Sequence, residues 1–276
     1  MNKVNLFIIG VNKGGSTWLH YLLNEHPEIY MSKRKEHYFF GYVYPEKIEE
    51  YNKNFPFEQN YKYFGESTPH YYLNSKAAYQ IKEYSPQAKI MVIVRDPIER
   101  LLSWIYFNKQ LGNIAENKGL KEIIYELKPK IRKSSHYELY LPNYEQIFGK
   151  NQFIMFSLEE AQVNKTKFWT KLQNFLGVKK IKIPEISNDN RNSTGSKYFR
   201  MIYRNTVRKI AKKNPQLYKK LLKSSLMKNS KQLLLKILGK ARKESLDSEV
   251  YNFLLKEYRE TYNYLDKKGF KEIYKK

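Results

Sequence analysis

The run "VNLFIIGVNKGGSTWLHYLL", residues 4–23, decides the fold. Its apolar half, up to Gly10, is short and β-branched enough for a buried strand; its second half, from Ser16, has helical spacing. Between them lies "VNKGG". A strand that feeds a glycine loop and then a helix lets successive backbone N–H groups and the helix N-terminus surround a phosphate. Gly14 and Gly15 would admit the backbone close to the anion, and Ser16 and Thr17 would add hydroxyl donors. The ATP-binding form of such a loop ends G-K-[ST], with the lysine on the β and γ phosphates. Here the spacing from Gly10 to Gly15 is kept, but Ser16 stands where that lysine belongs and Lys13 precedes the glycine pair. Lys13 therefore enters from the other side of the loop. Read alone, the glycines could also be an ordinary turn at a strand end.

Working outward, further β-rich runs occupy Tyr63 to Glu66, Lys89 to Val94 and Gln152 to Phe156. Helical spacing predicts helices at Ser16 to Asn24, Ser75 to Tyr84, Pro97 to Gln110, about Glu138 to Phe148, and Lys165 to Leu176. Alternating strands and helices predict an α/β fold: a P-loop-like, three-layer arrangement with a central parallel sheet flanked by helices. A basic helical C-terminal extension follows. One domain is expected over residues 1–276, with a core at about 1–200, a basic helical region at about 200–243 and a C-terminal helix at about 246–266.

A second stretch, "RDPIERLLSWIYF" at 95–107, puts Arg95 at the end of an apolar strand and Ser103 about two helical turns along. Arginine offers a rigid fork to phosphate and serine adds a hydroxyl donor. Asp96 and Pro97 also suit a plain helix start. With the glycine loop, this stretch describes a nucleotide carrying phosphates at two places.

The ordered set "IIGVNKGGSTWLHYLLNEHP", "KEHYFF", "FGESTPHYY", "AKIMVIVRDPIERLLSWIYF" and "NSTGSKYF" resembles the sulfotransferases that use 3'-phosphoadenosine 5'-phosphosulfate, closest to the heparan sulfate N- and 3-O-sulfotransferase branch and its bacterial relatives. The resemblance implies that Lys13, Gly14, Gly15, Ser16, Thr17 and Trp18 hold the 5'-phosphosulfate end of the donor. It implies that Arg95 and Ser103 hold the 3'-phosphate, and that Arg191 and Lys197 belong to a loop closing over 3'-phosphate and adenine. Lys13 would stabilise charge on the leaving side, and the product would be adenosine 3',5'-bisphosphate. No metal is implied, because lysine and backbone dipoles supply the positive charge.

The acceptor must lose a proton to a group held in line. In the resembled branch a glutamate before an x-x-F-F pair does this, and Glu36 in "EHYFF" stands there. His37 is the alternative, since a histidine is the base in the cytosolic branch. Glu66 and His70 are the acceptor-side candidates; Glu66 is alternatively a group that orients Lys13. One departure concerns acceptor similarity: the resembled enzymes have a lysine after this glutamate, and here Ser67 follows Glu66.

Composition bounds the partners. Lys and Arg number 51 against 27 Asp and Glu, giving a net charge of +24 and pointing to an anionic partner. Residues 200–243 hold fifteen Lys and Arg and no acid, so they carry well over half of that charge. Apolar residues interleave these lysines, as in a helix lying on an anionic membrane; steering of a polyanionic glycan or a solvated helix face are the other readings. The absence of cysteine excludes disulfide scaffolds, thiolate metal sites and thiol nucleophiles. The first apolar stretch is too short for a signal peptide and no run reaches the roughly 20 residues of a membrane span, so a cytoplasmic protein is expected, with a peripheral place at the inner membrane face as the variant. The expected acceptor is a glycan or glycolipid. A P-loop kinase or NTPase is the competing enzyme class, disfavoured by Ser16. Nucleic acid is not expected, because the charge and the 25 tyrosines come without a recognisable reading motif.

Overall fold

The computed structural model describes residues 3–184, 214 and 245–274. Its centre is a parallel sheet of five strands: β1 (Leu6–Gly10), β2 (Ile29–Met31), β3 (Tyr63–Ser67), β4 (Lys89–Val94) and β5 (Phe153–Ser157), ordered β2-β3-β1-β4-β5. Leu6 pairs with Gly65 on one side and Lys89 on the other, so β1 is central and hydrogen-bonded along both edges. A strand covered on both faces needs apolar residues throughout, and all five residues of β1 are buried.

The helices are α1 (Ser16–Asn24), α2 (Ile48–Asn52), α3 (Ser75–Tyr84), α4 (Pro97–Leu111), α5 (Leu120–Glu126), α6 (Pro129–Lys133), α7 (Leu141–Gln152), α8 (Leu158–Val163), α9 (Lys165–Leu176), α10 (Ser248–Glu257) and α11 (Arg259–Lys267). Alternation along β1 sorts its side chains between two layers. Leu6 and Ile8 join Leu19, Leu22 and Leu23 of α1 and Phe168, Trp169, Leu172 and Leu176 of α9 in one core. On the other face Phe7 meets Phe40 edge to face, with ring centroids 5.6 Å apart. The spacing Leu19, Leu22, Leu23 is one helical stripe, and truncating any of the three to Ala would cost about 2–5 kcal/mol. α9 is delimited by its own sequence: Asn164 Oδ1 accepts from the Lys167 N–H at 2.9 Å, and Gly177 takes φ 61° just past its end.

The chain divides into two compact units. The first, Met1–Arg100, Lys130–Ile186 and Glu257–Lys276, contains the sheet, α1 to α3, α7 to α9 and α11. The second, Leu101–Pro129 and Ser187–Lys256, contains most of α4, α5 and most of α10 among its described residues. Within it Glu249 receives the Lys121 ammonium at 2.6 Å and the Tyr125 hydroxyl at 3.2 Å, while the Tyr125 and Phe253 rings lie 5.2 Å apart. Exposed ion pairs of this kind add little stability.

Four of the strands and the helices α1, α3 and α9 stand where the sequence places them. Three differences have local causes. β2 is only three residues long, too short to show a period. The helix expected from about Glu138 starts at Leu141, after a 3-10 turn at Tyr137–Leu139, and runs to Gln152. The expected C-terminal helix is two, α10 and α11, because Tyr258 leaves helical geometry at φ −96°, ψ 14°. Arg191, Lys197 and the basic region 200–243, Asn214 excepted, lie outside the described residues.

The fold brings the ends of β1, β3 and β4 to one edge of the sheet. In open parallel sheets the crevice beyond the strands' carboxyl ends is where ligands bind.

Candidate active site

At that edge the loop after β1 is held by backbone. The Val11 N–H donates to the Ile93 carbonyl at 2.9 Å and the Gly14 N–H to the Val11 carbonyl at 3.0 Å. A Cβ on Gly14 would come within 2.5 Å of Val11 Cγ2 and 2.6 Å of the Ile93 oxygen, so only glycine fits. Gly15 has φ 106°, and the Leu19 N–H reaches back to its carbonyl at 3.1 Å, opening α1. No side chain caps α1. Its first-turn amides and the helix dipole thus offer themselves to an anion. Lys13 sits in the left-handed region at φ 69°, a conformation that costs a non-glycine residue free energy and recurs at ligand sites.

Arg95, at the end of β4, lies against this loop. Its Nη2 pairs with Glu99 Oε2 at 3.0 Å and its Nη1 reaches the Lys13 carbonyl at 3.5 Å. The Tyr137 hydroxyl donates to the Arg95 carbonyl at 2.9 Å, fixing the backbone there.

The second part of the site is the loop after β2, which carries Lys35, Glu36 and His37. Glu36 and Tyr38 both have positive φ, 59° and 51°. The Glu36 N–H donates to the Ser67 carbonyl at 2.9 Å, the His37 N–H to Thr68 Oγ1 at 3.0 Å and the Phe39 N–H to the Tyr71 hydroxyl at 2.9 Å. Those two hydroxyls in turn donate to Glu66, from Thr68 at 2.7 Å and Tyr71 at 3.1 Å, and Tyr51 adds a third at 2.9 Å. Glu66 is fully buried. Burial raises its pKa to about 7, against the pull of the three hydroxyl donors. Glu66, expected on the acceptor side or as a group that orients Lys13, has its oxygens on the hydroxyls of Tyr51, Thr68 and Tyr71, and the last two of these also receive amides of the Glu36 loop. Ser67, the position of the departure noted above, is also fully buried.

A chain of polar contacts joins the two loops. Asn12 Nδ2 lies 3.0 Å from His70 Nε2, His70 Nδ1 lies 3.1 Å from the Tyr38 hydroxyl, and that hydroxyl donates to Glu36 Oε2 at 3.0 Å. An amide nitrogen only donates, so the network assigns the lone pair of His70 to Nε2 and its proton to Nδ1. Burial lowers the His70 pKa, which suits this neutral tautomer. The Tyr38 phenol, desolvated and beside Glu36, is held well above its usual range and keeps its proton. His70 is thus a link between loops.

His37 faces inward. Its Nε2 contacts Ser32 Oγ at 2.9 Å, its ring stacks on Phe55, and burial lowers its pKa to about 4. Beside the loop, a cavity of about 500 Å³ is lined by His20, Tyr21, Asn24, Tyr30, Lys33 and Tyr61 among others. His20 is 3% exposed, and among the described residues its Nδ1 has no hydrogen-bond partner.

The sulfotransferase domain family model matches residues 3–266, nearly the whole chain. The chain belongs to the sulfotransferase family.

Among curated relatives, the membrane-associated sulfotransferase kil1 of Dictyostelium discoideum is 39% identical over 111 residues, covering 38% of this chain and 23% of that protein. Heparan sulfate glucosamine 3-O-sulfotransferase 5 of Mus musculus is 33% identical over 97 residues, covering 35% of this chain and 28% of that protein. These matches span about a quarter of the relatives' length. A crystal structure of a sulfotransferase from Alicyclobacillus acidocaldarius superposes with a TM-score of 0.57 over 76% of this chain and 96% of that one, at 21% identity, which establishes a shared fold.

Of the residues singled out in the sequence, the structure gathers Lys13, Gly14, Gly15, Ser16, Thr17, Arg95, Glu36 and His70 at one edge of the first unit. The ring of Trp18 packs on Phe168 at 5.3 Å, so its backbone amide is what it has to offer a ligand. Ser103 lies on the part of α4 that belongs to the second unit. The kinase alternative is not favoured, since Ser16 stands where its lysine belongs and the matching family model is that of a sulfotransferase domain. Sequence reasoning missed Asn12, Lys35, Tyr38, Thr68 and Tyr71. The pattern "EHYFF" did flag the loop that holds Tyr38, but nothing in it marks which hydroxyls hold that loop. Among the described residues no helix is long and apolar enough to cross a membrane, and no group of three His, Asp or Glu is placed to hold a metal.

Proposed function

We propose that this sulfotransferase moves a sulfuryl group from 3'-phosphoadenosine 5'-phosphosulfate to a hydroxyl or amine of a carbohydrate or glycolipid acceptor. The observation that carries the reading is the contact chain Asn12, His70, Tyr38, Glu36, which couples the anion-binding loop to one carboxylate. The residues present fit such a donor: an uncapped helix N-terminus, a glycine that a Cβ would fill, and Lys13 and Arg95 beside them. When bound, the donor supplies an activated sulfuryl group.

This chain's residues then have separate tasks. The backbone of the loop and the hydroxyls of Ser16 and Thr17 orient the donor's 5' end. Lys13 places positive charge where negative charge grows on the departing oxygen. Glu36 takes the acceptor's proton at the oxygen that Tyr38 leaves available, and the Tyr38 hydroxyl holds the carboxylate in place. His37 is the weaker candidate, with Nε2 occupied and the ring inside. The names of the heparan sulfate relatives favour a carbohydrate acceptor, and the cavity lined by Tyr21, Tyr30 and Tyr61 offers aromatic faces for a sugar. The kil1 name and the basic region 200–243 favour a membrane-linked one.

A thermal shift measurement tests the donor half. Adenosine 3',5'-bisphosphate without magnesium is expected to raise the melting temperature, and ATP with magnesium to leave it unchanged; the reverse ordering overturns the reading. Transfer of labelled sulfate to a panel of glycans, glycolipids, phenols and peptides tests the acceptor half, with label on the phenols or peptides alone as the contrary result.

A further inference from the structure

The stretch "DPIE", residues 96–99, opens α4 with the sequence of a capping box: Asp96 at the N-cap, Pro97 in the first turn and Glu99 three places on. Asp96 fills its half of that motif. Its Oδ1 accepts from the Glu99 N–H at 2.8 Å, and the Tyr262 hydroxyl donates to its Oδ2 at 3.0 Å. Glu99 does not fill the other half. The Asp96 N–H, which the glutamate of a capping box would take, donates to Glu159 Oε1 at 3.1 Å, in the first turn of α8. The Glu99 carboxylate lies on Arg95 instead, with Oε2 at 3.0 Å from Nη2, and among the described residues this is the only ion pair of Arg95. Three carboxylates, those of Asp96, Glu99 and Glu159, thus gather at one corner of the first unit with the Arg95 guanidinium. Asp96 and Glu159 are buried, and the Arg95 and Glu99 side chains are each 18% exposed, so water screens little of the charge between them. Glu159 Oε2 has no hydrogen-bond partner among the described residues, and burial first, with the Asp96 charge besides, raises the Glu159 pKa against the pull of Arg95. A phosphate that came to the same fork with Glu99 still on it would meet a poorly screened like charge.

Resting on the donor reading above, we infer that Glu99 is a specificity-determining residue that occupies the Arg95 fork in the place of the donor's 3'-phosphate and gives the fork up when that phosphate arrives. Carboxylate and phosphate ask for the same bidentate geometry, so one fork serves either. Glu99 cannot retreat to the Asp96 N–H, which Glu159 holds, and turns to solvent. Each 3'-phosphate contact is therefore made at the expense of an ion pair. Donor and bisphosphate product are both held more loosely than the bare fork would hold them, and a nucleotide without a 3'-phosphate leaves Glu99 where it is.

The test is calorimetric titration of adenosine 3',5'-bisphosphate and of adenosine 5'-monophosphate into the full chain and its Glu99→Gln, Glu99→Ala and Arg95→Gln variants, with stopped-flow release of the bisphosphate as companion. Removal of a competing ion pair predicts bisphosphate affinity about three- to tenfold tighter in Glu99→Gln, with slower release. Glu99→Ala, which also frees the fork, should show the same gain and stands in should Glu99→Gln fail to fold. Monophosphate affinity should equal that of wild type in both, and Arg95→Gln should lose most of the wild-type preference for the bisphosphate. Unchanged or weaker bisphosphate binding in the Glu99 variants would make Glu99 a support that aims Arg95, and an equal gain for both nucleotides would be a general effect of charge; each overturns the inference and leaves the donor reading standing. A wild-type chain that fails to bind the bisphosphate, or an Arg95→Gln protein that keeps the full preference for it, would remove the donor reading at Arg95 as well.

Discussion

The two loops of the site are built by opposite means. The loop after β1 is shaped by backbone: glycines at 14 and 15, bonds to Ile93 and Val11, and, among the described residues, no side-chain cap on α1. The loop after β2 is shaped by other segments, its amides at 37 and 39 resting on Thr68 and Tyr71, whose hydroxyls end on buried Glu66. A backbone cradle suits a group of fixed geometry such as a phosphate. A side-chain cradle can be retuned one residue at a time, which suits the loop carrying the base.

If that contrast holds, damage to the two loops should separate in kinetics. A large effect is expected from Lys13→Ala: transfer should fall by about 10²–10³ because a group that meets growing charge is gone, read as kcat/KM on any acceptor the wild type sulfates. A loss confined to acceptor KM would break the assignment of this loop to the donor. Next, Glu66→Gln should lower kcat by about tenfold with bisphosphate affinity unchanged, since only the base loop leans on it; weakened bisphosphate binding would show the two loops to be one structure. Tyr38→Phe removes one hydrogen bond to Glu36 and should cost kcat about three- to tenfold, again without touching donor affinity.

A stability measurement sharpens the role of Glu66 through pH. Its folded pKa, about 7, lies above the 4.5 of an ordinary glutamate, so its contribution to stability is complete below about pH 4.5 and is lost as pH rises through 7. Wild type should therefore lose up to roughly 3 kcal/mol relative to Glu66→Gln across that window. Denaturant unfolding of both proteins from pH 4.5 to 8 reads this directly, and a pH-independent difference would place the carboxylate in a more solvated setting.

The same contrast explains what was legible in the sequence. β1, its loop and α1 could be read because their signals are local: an apolar run, adjacent glycines, and apolar residues at helical spacing through Leu19, Leu22 and Leu23. Arg95 was legible for the same reason, standing at the end of an apolar strand. The support of Glu36 was not, because Glu66, Thr68 and Tyr71 lie about 30 residues on and act through hydroxyl geometry that no spacing rule encodes. Glu66 was read through the resemblance at "GESTPHYY" as an acceptor contact or a group that orients Lys13, and its burial under three hydroxyls is set by residues from other segments. His70 was an acceptor-side candidate from its place in "GESTPHYY", and its two ring contacts, Asn12 and Tyr38, come from separate loops that no local spacing brings together. Lys35 stands in the sequence beside Lys33 and Arg34, and only the fold distinguishes it by sending it to Thr17.

The choice of Glu36 as base is tested most directly by single-turnover transfer in Glu36→Gln and His37→Gln, run side by side with bisphosphate binding measured on both. The expected result is a fall of about 10²–10⁴ for Glu36→Gln with donor affinity intact, and a small loss for His37→Gln. Near-normal turnover in Glu36→Gln with a collapse in His37→Gln would contradict it.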